Sequence, residues 1–302
     1  MRQRDNFRAA FLVSSAMSAP PTRRTFLVGS SAGLVLAGVS STAMLSLQGG
    51  GTPATASVSP AEAPAPALPD SWPTQAPDLA REMVGASHGR VERVRELLAV
   101  HSSLARAAWD WGFGDWETAL GAASHVGNRE IAELLLAHGA QPTIFSAAML
   151  GQVATVRAFI EAAPGIQKTA GPHGLTLLHH ARAGAEVAKP VVEYLEKLGG
   201  ADLKPTLVAL ADADQVAVLG TYLFGPGPTE RIVVAVGRMG LAFERAGRSP
   251  LRLSHLGNLE FFPPGVPDVR IRFERAGDRI AALTVHDPAL VLRATRAAAA
   301  VG

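Results

Sequence analysis

Apolar residues recur at helical spacing between residues 116 and 142. Ile131, Leu134 and Leu135 fall on one stripe of a helix, and the glutamates between them lie on the opposite face. A run of small residues at 119–124 indicates a shorter helix just before it, suited to close packing. The pattern predicts two short helices joined by a tight turn.

The ends of these two helices carry residues suited to their positions. Thr118 can cap the start of the first helix, and Gly127 allows the left-handed backbone that a tight turn needs. Gly139 supplies the stop of the second helix. One such pair cannot bury its own apolar stripe, so stacked neighbours are expected.

The neighbouring pairs share a register set by the glycine between their helices. Gly89, Gly127 and Gly151 are each followed, eight and nine places later, by two large apolar residues. A fourth unit runs from His173 to Asp202, and Pro190 fits poorly inside a helix, so a helix should start or kink there. These observations predict four uneven helix pairs.

The segment from 116 to 142, and the G-x-T-x-L-H pattern at Gly174 to His179, resemble ankyrin repeats. The resemblance covers about residues 78–204 and implies a short α-solenoid that binds a protein partner through its concave and finger face. The interval between the second and third units is too short for a β finger. The interval between the first and second is long, and its excess is aromatic.

That aromatic excess is the candidate binding site. Four rings fall within eight residues, at Trp109, Trp111, Phe113 and Trp116. Exposed aromatic side chains often anchor protein interfaces, so these residues, with His173, are predicted to contact a partner protein. The alternative is that the rings pack against each other, against the preceding linker or against the C-terminal domain.

After Pro205 the period changes to that of strands. Short β-branched runs between Gly and Pro, the first at 217–224, predict a small antiparallel β domain at 206–298. A closing or frayed helix is expected at 291–301. The order of its landmarks resembles the β module that follows many bacterial β-lactamase-like serine hydrolase domains. The chain is thus expected to be α+β, with a helical solenoid followed by a β domain.

The N-terminal residues predict export. Paired arginines at Arg23 and Arg24 open a mildly apolar run, as in twin-arginine signals, and residues 1–56 are assigned as the signal. An ordinary secretory signal or a retained membrane anchor are the alternatives, and Met17 could be the true start. Residues 57–77 are predicted to be a disordered Pro/Ala-rich linker, and the first helix is expected to begin near Asp78, whose carboxylate can cap it. The expected location is the periplasm or the exterior.

The charge of the chain argues against nucleic acid as a partner. The formal net charge is +2, but residues 1–56 hold five arginines and one aspartate, so the remainder is near −2. The chain has no cysteine, which excludes disulfides and cysteine-based lipid attachment.

Catalytic patterns mostly fail in this sequence. The one G-x-S-x-G match, around Ser31, lies inside the predicted signal, and no zinc-protease or phosphate-loop pattern occurs. His179 is expected to hydrogen-bond neighbouring loop backbone rather than a metal. The prediction is therefore a non-enzymatic protein without metal or cofactor. The alternative is a ligand-binding or enzymatic accessory protein, with a site lined by His255, His286 or Glu260 or at the seam with the solenoid.

Overall fold

The computed structural model describes residues 70–298. The predicted signal at 1–56 and most of the predicted linker lie outside these residues. Within 70–298, no helix is both long and apolar enough to cross a bilayer.

The described chain holds a helical region followed by a β region. The helices are α1 Pro77–Ala86, α2 Val91–Val100, α3 Ala119–His125, α4 Arg129–Ala137, α5 Ile144–Met149, α6 Val153–Ala162, α7 Leu177–Ala183, α8 Lys189–Leu198 and α9 Asp212–Val218. The strands are β1 Ala108–Asp110, β2 Trp116–Thr118, β3 Gly220–Leu223, β4 Arg231–Gly237, β5 Gly240–Glu244, β6 Leu251–Arg252, β7 Ser254–Gly257, β8 Glu260–Phe262, β9 Arg270–Ala276, β10 Arg279–Asp287 and β11 Leu290–Arg296.

The first eight helices form four consecutive pairs, which we call the helical region. In the second pair the predicted ends are confirmed: the Thr118 hydroxyl accepts a hydrogen bond from the Gly121 amide at 2.9 Å, and α4 ends just before His138 and Gly139. Gly127 has φ +75°, as the turn requires. The predicted stripe is also confirmed, with Ile131 and Leu135 fully buried.

The predicted start of α8 is confirmed, whereas the predicted cap of α1 is wrong. Pro190 lies in the first turn of α8, so the helix starts there as expected. Asp78 was expected to cap the first helix, but that is wrong. The helix begins one residue earlier, at Pro77, and the N-cap is Ala76, which makes no side-chain cap. Proline fixes a helical φ at the first position, so the helix starts at the proline rather than after the aspartate.

The finger regions follow the predicted spacing. The long interval between the first two pairs contains the antiparallel hairpin β1–β2, in which Ala108 faces Thr118 and Asp110 faces Trp116. Residues 138–143, between the second and third pairs, contain no strand. The fourth pair is preceded by a tight loop at 171–175, closed by a hydrogen bond from the Gly171 amide to the Leu175 carbonyl.

The C-terminal strands form one nine-stranded antiparallel sheet that is nearly closed into a barrel. Its order is β6-β5-β4-β3-β11-β10-β9-β8-β7, so β6 and β7 are the two edges. Only Leu253 separates these edges in the chain, and its amide bonds to the Leu241 carbonyl on β5. The sheet must therefore curl until its edges meet, which buries one face as a core.

Two elements of the β region differ from the prediction. Ala217 and Val218 lie in α9, not in a strand, and the strand begins at Gly220. The predicted closing helix is also wrong, because 290–296 is strand β11 between β10 and β3. Ala294 is buried while Arg293 and Thr295 are exposed, which is strand alternation. Backbone pairing on both sides outweighs the helix preference of this alanine-containing segment.

Candidate functional site

Three histidines and one glutamate meet at the floor of a cleft beside the barrel. We call His88, Glu117, His125 and His173 the histidine cluster. His88 follows α1, Glu117 lies on β2, His125 ends α3, and His173 lies in the loop before α7. One ligand-type atom from each residue lies within 4.8 Å of the others. Four separate parts of the helical region therefore supply one site.

The first two histidines are placed by equivalent local structure. An Ala-Ser-His triplet occurs at 86–88 and again at 123–125, each at the end of the first helix of its pair. In both, the serine hydroxyl donates to the carbonyl four residues back, at 2.8 Å for Ser87 and 2.6 Å for Ser124. Because consecutive pairs stack, the equivalent rings of His88 and His125 lie edge to face with centroids 5.0 Å apart.

Glu117 is the central residue of the cluster and is fully buried. Strand alternation on β2 turns its side chain inward while Trp116 and Thr118 point outward. The Trp111 indole donates to its Oε2 at 2.7 Å. The Nε2 atoms of His88 and His173 each lie 3.5 Å from the same oxygen.

The fourth member, His173, is held by a second carboxylate. Asp115, which is 4% exposed, accepts from the His173 amide at 2.9 Å through Oδ1 and lies 2.7 Å from its Nδ1 through Oδ2. His173 has φ +59°, an uncommon conformation for a non-glycine residue. Such strain persists where surrounding contacts hold the residue, and the paired hydrogen bonds to Asp115 do so here.

The cluster shifts the pKa values of its members. Burial raises the pKa of Glu117, but the close approach and the charge of the histidines outweigh it and lower the pKa to about 2. Burial lowers the pKa of His173, but its bonds to Asp115 and Glu117 prevail and raise it to about 10. Burial also lowers the pKa of His88, and there Glu117 opposes it only in part. The site thus favours an ionised carboxylate.

The barrel forms the other wall of the cleft. Phe113, at the tip of the β1–β2 hairpin, packs against the barrel core, with its ring 5.9 Å from that of Phe243. Gly265, in the loop after β8, lies so close to Asp115 that an added Cβ would be 2.5 Å from Oδ1. We call this contact between the helical region and the barrel the seam.

The cleft has a volume of about 460 Å³ and a mixed lining. The histidines and Asp115 form its polar floor, and its walls are mostly apolar. The lining residues from the walls are Trp111, Leu175, Met239, Ser249, Pro250, Leu251, Arg252, Pro263 and Pro264. An apolar cavity of this size with a few convergent polar groups has the character of a ligand-binding site.

The local structure around β2, α3 and α4 agrees with a known repeat. Residues 115–146 match the family model of the ankyrin repeat. No curated protein matches the chain. Ankyrin repeats generally mediate interactions between proteins, and the matched segment contains Asp115, Glu117 and His125. Part of the histidine cluster thus lies within the ankyrin segment itself.

The structure separates the five residues predicted to bind a partner. Trp111 and His173 both line the cleft, with ring centroids 6.4 Å apart. Trp109 packs partly buried against the core of the first helix pairs, and Phe113 packs against the barrel. Trp116 is 63% exposed. Trp111 and His173 therefore share the cleft, and the other three predicted residues lie outside it.

The histidines of α7 and two of the residues that the sequence analysis named in the β region lie outside the cluster. The expected backbone contact of His179 is confirmed, since its Nε2 lies 3.1 Å from the His125 carbonyl. His180 is fully buried, with Nδ1 bonded to the Thr176 carbonyl. His255 bonds to the Val208 carbonyl, and Glu260 pairs with barrel arginines.

Sequence reasoning missed His88, Glu117 and His125. The signal that could have found the two histidines is the repeated Ala-Ser-His triplet, because equivalent positions in stacked repeats are neighbours. Glu117 gave no comparable signal. Only the pairing of β1 with β2 turns it inward, toward rings from other helix pairs.

Proposed function

We propose that this chain is an exported binding protein whose cleft receives part of a partner protein. The observation that carries the proposal is the cleft itself, formed by an ankyrin-type finger on one side and barrel loops on the other. The ankyrin match supports a protein as the partner class. Four irregular ankyrin repeats, one for each helix pair, complete the proposed architecture.

The barrel narrows the choice of binding surface. In ankyrin proteins the fingers are typical contact points for partners, yet here the hairpin tip already contacts the barrel. The side chain of Leu251 on β6 would lie 3.0 Å from a Cβ at Gly112, and Phe113 joins the barrel core. The tip of the hairpin is thus covered by the barrel of the same chain. The cleft beside it remains accessible to a partner.

The cleft offers features that protein partners use. Trp111 and Arg252 belong to the residue types that contribute most to interface energies. Met239 lies at the edge of the cleft, on the hairpin between β4 and β5, and is 73% exposed. A flexible apolar side chain in this position can adapt to the shape of an inserted segment.

A second surface is favoured by one observation. Trp116 is 63% exposed on the outer side of β2, away from the cleft. A large exposed aromatic ring on this outer face is a residue type that anchors partner proteins. The binding experiment below therefore includes this residue as a separate variant.

The proposal extends to two properties predicted from the sequence. The protein is proposed to act by binding rather than catalysis, because the one catalytic pattern found, around Ser31, lies inside the predicted signal. It is proposed to be exported by the twin-arginine route on the basis of Arg23 and Arg24. Replacing both arginines with lysine should retain the chain in the cytoplasm, and unchanged export would contradict that route.

Affinity capture from the exported fraction tests the binding site. The bait is the chain from residue 57, and Met239→Glu places a charge at the edge of the cleft. The matched control, Leu290→Glu, alters another exposed apolar residue near a hairpin turn of the same barrel. We expect a protein recovered by the unaltered bait and the control but lost, by at least about tenfold, with Met239→Glu.

The variants also discriminate the two surfaces. Loss of recovery with Trp116→Ala, but not with Met239→Glu, would move the binding site to the outer face of β2. Equal recovery by all baits, each shown to be folded by circular dichroism, would contradict both surfaces.

A further inference from the structure

The histidine cluster presents metal-type donors on converging side chains. We propose that His88, His125, His173 and Glu117 bind one divalent transition-metal ion of the zinc class. Three imidazoles and one carboxylate are donors that such ions accept. The proposal concerns the ion alone and does not require the partner protein proposed above.

The distances in the cluster suit an ion after small side-chain movements. Bonds of about 2.0–2.1 Å at tetrahedral angles place neighbouring donors about 3.3 Å apart. The Nε2 atoms of His88 and His173 lie 3.5 Å from Glu117 Oε2, and that of His125 lies 2.9 Å from Oε1. All four ligand-type atoms lie within 4.8 Å of one another, so side-chain movements on the order of 1 Å would bring them to that spacing.

Groups behind the cluster orient its donors. The Nδ1 of His88 lies 3.1 Å from the Val84 carbonyl, and the Nδ1 of His173 lies 2.7 Å from Asp115. With the ring proton on Nδ1 donated to these acceptors, Nε2 can bind an ion; in His173 the ion must first displace the Nε2 proton that faces Glu117. Backbone carbonyls and carboxylates commonly orient metal-binding histidines in this way. Trp111 fixes Glu117 by the bond to Oε2.

Two buried atoms of the cluster lie close together but make no hydrogen bond. Glu117 Oε1 and His125 Nε2 have no hydrogen bond within residues 70–298, although only 2.9 Å separates them. Their angles do not suit a hydrogen bond. A buried polar atom without a partner is costly, so such atoms call for an explanation. One ion bound by both atoms would supply it.

The donor set selects the class of ion. Imidazole suits zinc, copper, iron and nickel ions, whereas magnesium and calcium prefer sites made of oxygen. The chain has no cysteine to favour a softer ion. The three histidines line the cleft, so an ion could enter from open space, and the four side chains would complete a tetrahedral site.

Cobalt(II) titration tests the site directly, because tetrahedral Co²⁺ with nitrogen ligands has strong visible absorption. The sample is the untagged chain from residue 57, freed of metal by a chelator. We expect one Co²⁺ per chain, visible bands, and their loss when one equivalent of Zn²⁺ displaces it. Absence of both the bands and stoichiometric Zn²⁺ binding would overturn the proposal and leave the cluster as a hydrogen-bonded ion-pair network.

A matched histidine pair controls for nonspecific binding. His88→Gln removes a proposed ligand, and His138→Gln removes a histidine whose Nδ1 makes the same kind of contact, 2.9 Å from the Leu134 carbonyl, outside the cluster. We expect Zn²⁺ affinity to fall at least about a hundredfold in the first, with no change in the second. Equal affinities in the two variants would overturn the assignment.

Asp115→Asn tests the positioning role of Asp115. It keeps the side-chain shape but weakens the orientation of His173, and affinity should fall about ten- to a hundredfold. The visible bands should persist at saturating Co²⁺, since all four ligands remain. Unchanged affinity in a folded variant would remove His173 from the proposed ligand set.

Discussion

The contact between Gly265 and Asp115 allows a sharp test of the seam. Gly265 has φ +96°, and a Cβ built there would lie 2.5 Å from Oδ1 and 2.6 Å from Cγ of Asp115. Gly265→Ala therefore introduces backbone strain and a steric clash together. Gly240→Ala is the matched control, because Gly240 has φ +103° and no atom within 4 Å of an added Cβ.

The energetic costs of the backbone strain and of the clash with Asp115 can be estimated separately. A non-glycine residue in this backbone region costs about 1–3 kcal/mol, which both variants share. Only Gly265→Ala also displaces Asp115, whose carboxylate accepts two hydrogen bonds from His173. Hydrogen bonds to a charged group contribute about 1.5–3 kcal/mol each. Losing one of them should make Gly265→Ala about 2 kcal/mol more destabilising than Gly240→Ala.

Urea unfolding measures this difference with two probes. All four tryptophans lie between residues 72 and 116, so fluorescence follows the helical region and its β1–β2 hairpin, while circular dichroism follows the whole chain. A double-mutant cycle with Asp115→Ala isolates the clash, because in that background Gly265→Ala should cost no more than Gly240→Ala. Equal destabilisation by the two glycine variants, or no coupling to Asp115, would refute the described seam.

Two further substitutions test the surroundings of the cluster. Trp111→Phe removes the hydrogen bond to buried Glu117 and should lower the free energy of unfolding by about 1–3 kcal/mol, measured by urea unfolding of metal-free protein. A change below about 0.5 kcal/mol would contradict the bond. Thr118→Ala removes the N-cap of α3 and should cost about 0.5–2 kcal/mol in the same assay, with Thr118→Ser restoring most of it; equal losses in both variants would argue against the cap.

Local patterns predicted the helix pairs because their determinants are close in sequence. The cap at Thr118, the turn at Gly127 and the stripe through Ile131 and Leu135 each depend on residues a few places apart. The antiparallel β region was predicted for the same reason. The segment at 291–301 was misassigned because its structure depends on pairing with strands that are distant in sequence.

The aromatic segment at 109–116 shows that sequence-based prediction of the site has the same limit. Its composition indicated contact with another surface, and the sequence analysis left open whether that surface belonged to a partner or to this chain. For Phe113 the surface is the chain's own barrel, while Trp111 donates to a buried glutamate. Hydrophobicity alone cannot distinguish these cases, because burial inside a fold and burial at an interface release the same water.

By itself, the sequence determined the α+β class, the positions of most helices and strands, and the ankyrin character around Thr118. Only the tertiary structure decided the site. His88, Glu117, His125 and His173 are up to 85 positions apart in the chain, and they meet because stacked pairs align equivalent helix ends and a tight loop reaches back to Asp115. Such proximity depends on packing between units, which no local pattern of residues encodes.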